Sequence, residues 1–74
     1  MDYIDLIQKT IDYIDENIHE EITVDMLARI AGFSTYHYYR VFSSMVGLSV
    51  MEYVTKRKLE KIYMEIYVPI KAKS

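Results

Sequence analysis

The chain has no cysteine, one proline, two glycines and no apolar run approaching the roughly 18 residues of a membrane span. Without cysteine there is no disulfide, no thiolate metal site and no thiol nucleophile, so stability rests on packing alone, as suits a reducing cytoplasm. Two isolated glycines cannot build a phosphate-cradling loop, and so little glycine and proline, with 51% hydrophobic residues, gives no disorder signature. Asp2 and Asp5 stand where a secretory leader carries positive charge, so the expectation is a cytoplasmic protein with no membrane partner. At 74 residues there is room for one small domain, which buries only about 60% of its unfolded surface, and a large enzyme fold is excluded.

The net charge of -2 conceals an asymmetry. Residues 1–28 hold eight acids (Asp2, Asp5, Asp12, Asp15, Glu16, Glu20, Glu21 and Asp25) against Lys9, a net -7. From Arg29 onward eight bases face Glu52, Glu60 and Glu65, a net +5. A charge split of this kind points to a polyanion met by one face of the protein.

Ile4, Ile7, Ile11, Ile14 and Ile18 recur at steps of three and four, the period of an amphipathic helix over about residues 2–18. Thr23 is placed to cap a second helix over about 24–31, with Asp25 in its first turn and Gly32 to end it. Ser34 caps a third over about 35–46, stopped by Gly47. Ser49 and Glu52 form a capping-box pattern that opens a fourth over about 50–67, which Pro69 should end, leaving an irregular tail over 68–74. No stretch alternates with period two for long enough to make a strand. The expected fold is therefore all-α: a homeodomain-like three-helix core with a long C-terminal helix, one domain over residues 1–74.

The second and third helices are joined only by Gly32, Phe33 and Ser34, with small Ala28 where the two would approach closely, which is helix-turn-helix spacing over about 24–46. At about 100° per residue, Tyr38, Val41, Phe42 and Met45 of the third helix share one side, and Tyr36, Tyr39, Arg40 and Ser43 cluster roughly opposite. One side packs and the other is presented. An ordinary solvent face would satisfy the same pattern. A stripe of tyrosine and one arginine also suits a DNA major groove, because arginine donates twice to guanine and tyrosine meets phosphates, base edges or a thymine methyl. Ser34 and Thr35 stand at the helix N-terminus, where hydroxyls and free amides hold phosphate. The remaining tyrosines read as amphipathic core filler whose hydroxyls reach water.

The run Leu27-Ala28-Arg29-Ile30-Ala31-Gly32-Phe33-Ser34, followed by Tyr38, Arg40, Phe42, Gly47, Leu48, Ser49, Tyr53 and Arg57-Lys58-Leu59, resembles the DNA-binding domain of AraC/XylS-type transcriptional regulators over about residues 5–61. The resemblance implies a sequence-specific, double-stranded-DNA-binding regulator whose recognition helix is the third, with base contacts at Tyr36, Tyr39 and Arg40. Ser34, Thr35, Lys56 and Arg57 would then lie nearer the backbone; for the basic run Lys56, Arg57, Lys58 and Lys61 a solvated charged face is the ordinary reading and phosphate contact the alternative. Domains of that family carry a second helix-turn-helix unit beyond the long helix. Ile62 stands where a small residue is usual, and residues 66–74 do not resemble that second unit.

On the fourth helix Val50, Met51, Tyr53 and Val54 average near one direction, and Leu59, Ile62, Tyr63, Ile66 and Tyr67 average roughly 170° away. The second patch has no remaining segment long enough to cover it. A homodimer through Leu59, Ile62, Tyr63 and Ile66 is one expectation, since exposed apolar patches tend to be interfaces and two-fold closure is the commonest. The alternative is a truncated regulator that binds a full-length relative through this face, as an interaction or antagonist module.

No catalytic, metal or cofactor site is expected. His19 and His37 lie on different segments without a second ligand at helical spacing. Ser34 beside His37 reads as a cap rather than a nucleophile with its base, and a shallow helical surface gives no pocket in which paired carboxylates would differ in pKa.

Overall fold

The computed structural model describes residues 2–73, with side chains described through residue 69. It contains α1 (Tyr3–Glu16), α2 (Val24–Ala31), α3 (Thr35–Val46) and α4 (Val50–Lys73), and no strand among the described residues. The fold is all-α, as expected.

Each boundary has a local cause. The side chain of Asp2 accepts the Ile4 amide at 3.2 Å and opens α1. That helix stops at Glu16, two residues before the expected Ile18, because Asn17 leaves helical geometry and folds both its backbone and side-chain N–H groups onto the Tyr13 carbonyl at 3.0 Å. Thr23 accepts the Met26 amide and Ser34 the His37 amide, each at 3.2 Å. Gly32 at φ 78° ends α2 in a Schellman arrangement: its own N–H bonds the Arg29 carbonyl at 3.1 Å, and the Phe33 N–H bonds the Ala28 carbonyl at 2.9 Å. A side chain at Gly32 would meet open space, so glycine is required there by backbone conformation alone. Ser49 accepts the Glu52 amide at 3.2 Å, which is the serine half of the capping box.

The end of α4 departs from expectation. Pro69 lies inside the helix, which continues to Lys73, so residues 68–73 are helical rather than an irregular tail; Ser74 lies outside the described residues. A proline removes one amide bond to the residue four before it, here Glu65. At residues 61–69 every side chain is exposed, so water can satisfy the released carbonyl and the backbone on either side remains helical.

The core is drawn from all four helices and the α1–α2 connection: Ile7, Ile14, Ile18, Ile22, Leu27, Ala28, Ala31, Tyr38, Val41, Phe42, Val50 and Val54. Ile4, the first member of the isoleucine stripe, is 61% exposed because no later helix reaches the start of α1 on that side. The buried face of α3 also differs in detail. Met45 is exposed, whereas Ser43 is half-buried with a hydroxyl that finds no hydrogen-bond partner among the described residues. Docking of α4, whose Tyr53 ring meets Phe42 edge-on at 5.6 Å, moves the covered arc toward Phe42 and Val46 and leaves Met45 outside it.

One tyrosine hydroxyl is held inside rather than in water. Tyr38 is fully buried and donates to Thr10 Oγ1 at 2.9 Å, and Thr10 donates in turn to the Ile7 carbonyl at 2.8 Å, joining α3 to α1. Burial pushes the Tyr38 phenol up to about 12 against the partial counter-effect of the Thr10 bond.

Candidate nucleic-acid interface

The turn between α2 and α3 is three residues long, and the caps on either side of it fix where α3 begins. With Tyr38, Val41 and Phe42 committed to the core, the opposite side of α3 is held out to solvent. Tyr36 is 70% exposed, Tyr39 is 47% exposed and Arg40 is exposed beside them. Arg40 Nη1 donates to the Tyr36 hydroxyl at 3.0 Å, and its guanidinium carbon lies 5.7 Å from the Tyr36 ring centre. One of five guanidinium N–H groups is thus used to orient the side chain, and the other four make no hydrogen bond among the described residues.

At the head of α3, Ser34 is occupied as the cap, which leaves the first amides of that helix open. Thr35 donates its hydroxyl to Asp25 Oδ1 at 2.6 Å. On the flank of the helix, His37 lies in an aromatic cluster with Phe33, at 4.6 Å between ring centres, and Tyr3 of α1, at 5.8 Å; Tyr3 also meets Phe33 edge-on at 5.4 Å. The cluster ties the start of α1 to the turn. Nothing in the sequence pattern marks the Asp25–Thr35 or Tyr3–His37 pairings, because each joins different helices.

The structure therefore brings Ser34, Thr35, Tyr36, Tyr39 and Arg40 together on one helix, while Lys56 and Arg57 lie on α4 in different surroundings. Lys56 is exposed and borders a shallow apolar groove of about 580 Å³ with Met51, Thr55 and Leu59. Arg57 is turned to α1: its Nε donates to Asp15 Oδ1 at 3.0 Å, with Glu60 a further 3.7 Å neighbour. The hydrogen bond and charge of Asp15 push the Arg57 guanidinium above its ordinary value. Lys58, part of the same basic run in the sequence, donates to the Ile18 and Glu20 carbonyls, both at 2.7 Å, beyond the end of α1. His19 reaches Glu65 at 2.8 Å, and Lys61 approaches the same carboxylate at 3.9 Å. Asp15 and Arg57 thus make an ion pair between the acidic first part of the chain and the basic second, and Lys58 adds a link to backbone carbonyls.

Farther along α4, Leu59, Ile62, Tyr63 and Ile66 are 62, 49, 53 and 58% exposed, and Tyr63 stacks on Tyr67 at 4.7 Å. Among the described residues no helix is long and apolar enough to cross a membrane, and no group of three or more His, Asp or Glu side chains is placed to hold a metal ion.

A capped helix, a three-residue turn and a second helix with one buried and one presented face, braced by α1, define a helix-turn-helix domain. The profile of bacterial regulatory helix-turn-helix proteins of the AraC family matches residues 14–55, more than half of the chain, and the chain belongs to that family. Among its curated relatives, the uncharacterized HTH-type transcriptional regulator YbfP of Bacillus subtilis (strain 168) is 37% identical over 59 residues, which is 80% of this chain and 20% of YbfP. The HTH-type transcriptional activator Btr of the same organism is 38% identical over 55 residues, 74% of this chain and 10% of Btr. The regulatory protein SoxS of Salmonella typhimurium is 30% identical over 59 residues, 80% of this chain and 55% of SoxS. The chain thus spans from a tenth to about half of the length of these relatives. No solved structure matches it.

Proposed function

We propose that the chain binds double-stranded DNA as the reading unit of a transcriptional regulator, with α3 in the major groove. The observation that carries this reading is the exposed Tyr36, Tyr39 and Arg40 face on a helix whose other face is locked into the core. Arg40 reads a guanine edge, and Tyr36 and Tyr39 meet neighbouring bases or phosphates. Ser34 and Thr35, at the head of α3, and Lys56, on α4, meet the backbone. Arg57 reaches a phosphate only by leaving Asp15, so its contribution is the smallest of the set.

Arg40→Ala tests this on a duplex selected by the wild-type chain. A loss of about 1–3 kcal/mol with relaxed discrimination at one base pair is expected. An equal loss on every duplex would reassign Arg40 to the backbone, and a wild-type chain that binds no duplex at low salt would overturn the reading.

A second reading is favoured by the exposed stripe Leu59, Ile62, Tyr63 and Ile66. Lys56 and Glu60, of opposite sign, border it, so a second copy of this chain packed antiparallel on α4 can set base against acid while covering the apolar residues. Such a dimer presents two recognition helices to half-sites spaced by a multiple of about 10.5 base pairs. Sedimentation at tens of micromolar separates the outcomes: a dimer supports this reading, and a monomer that associates with a full-length regulator of the same family supports the antagonist alternative.

A further inference from the structure

The helix-turn-helix brings the first turn of α2 against the first turn of α3. There the Thr35 hydroxyl donates to Asp25 Oδ1 at 2.6 Å, a short charge-assisted bond between two exposed side chains. Both residues lie at helix N-termini, where the partial positive charge favours an anion. In the free protein that anion is the Asp25 carboxylate. In a DNA complex it is a phosphate, and the two compete. A hydroxyl has one proton, so Thr35 cannot donate to a phosphate while it donates to Asp25. The carboxylate also opposes a second negative charge brought to the same helix end. Asp15 and Glu65 are answered by Arg57, Lys61 and His19, whereas Asp25 enters no ion pair among the described residues, so its charge is not neutralised locally.

We infer that Asp25 sets the strength of the backbone contact: it withholds the Thr35 hydroxyl and lowers affinity for every duplex by a similar, salt-sensitive factor. Base contacts from Tyr36, Tyr39 and Arg40 are untouched. At a given protein concentration, complexes without those base contacts therefore lose occupancy first. The inference rests on the DNA-binding reading above.

Asp25→Asn is the test, because the amide oxygen still accepts the Thr35 hydroxyl while the charge is gone. The full chain is titrated against a selected duplex and a scrambled duplex at low and high salt, with circular dichroism to verify the fold. The expected result is about three- to tenfold tighter binding of both duplexes at low salt, the factor for one unit charge roughly 5 Å from a phosphate in a medium close to water. The gain shrinks as salt screens the charge. Asp25→Ala, which removes the charge and the acceptor together and so releases the Thr35 hydroxyl, moves the same way and at least as far. Unchanged or weaker binding of both duplexes by the folded variants would overturn the inference. Weaker binding of the selected duplex alone would overturn it too, by making Asp25 an acceptor for a base amino group. Failure of the wild-type chain to bind either duplex would instead be failure of the DNA-binding reading.

Discussion

The two halves of α4 belong to one continuous helix with apolar residues at helical spacing throughout, yet they live in different surroundings. Val50 and Val54 are 0 and 1% exposed against the core, whereas Leu59, Ile62, Tyr63 and Ile66 stand between 49 and 62% exposed. The apolar face rotates to the far side of the helix near Lys58, and from there on α4 is joined to the rest of the domain by polar links: Arg57 to Asp15, Lys58 to the carbonyls of Ile18 and Glu20, and His19 to Glu65. Burial is decided by whether another element faces the stripe, and a helix can leave its own domain while its backbone stays regular.

The contrast can be broken at the core end first. Phe42→Ala removes a fully buried ring that meets Tyr38 and Tyr53, and about 3–5 kcal/mol of stability should go with it, enough to unfold a domain of this size in a thermal melt. The Tyr38 hydroxyl gives a pH signature of the same core. Its folded pKa of about 12 lies above the ordinary phenol value of 10.0, so the neutral phenol is favoured in the fold. Its contribution is complete below pH 10.0 and is lost as pH rises toward about 12. Melting temperatures across that window should fall, and Tyr38→Phe should remove that part of the fall. Arg57→Ala, which cuts an exposed ion pair, should cost less than about 1 kcal/mol in a denaturant titration, and high salt should erase the difference. Ile62→Ala on the outer stripe should change monomer stability by no more than about 0.5 kcal/mol. A loss comparable to that of Phe42→Ala, measured in dilute monomer, would mean that the outer half of α4 is part of the fold.

What could be read from the sequence was what depends on neighbours close in the chain. Thr23, Ser34 and Ser49 cap helices as their positions suggest, and Gly32 and Gly47 adopt the left-handed conformation that ends them. The presented face of α3 followed from its own periodicity. Misreadings arose where distant partners or solvent decide. Met45 and Ser43 exchanged roles because α4 covers one flank of α3, which an angular count on α3 alone does not contain. Arg57 and Lys58 resembled a cationic run free for phosphate, but their partners are Asp15 and the Ile18 and Glu20 carbonyls, some forty residues away. The Tyr38 hydroxyl bonds Thr10 rather than water, and the periodicity of α3 cannot reveal a partner that lies on another helix. Pro69 has the sequence signature of a terminator, yet a helix exposed over residues 61–69 accommodates the loss of one backbone bond.

The central claim, that the Tyr36, Tyr39 and Arg40 face reads duplex DNA, is tested most directly by fluorescence anisotropy. A labelled, partly randomised duplex pool is titrated with the chain at several salt concentrations, and the retained DNA is sequenced. Saturable binding that weakens steeply with salt and enriches one motif is the predicted result. No binding at high micromolar protein and low salt, or binding that enriches no sequence, would contradict it.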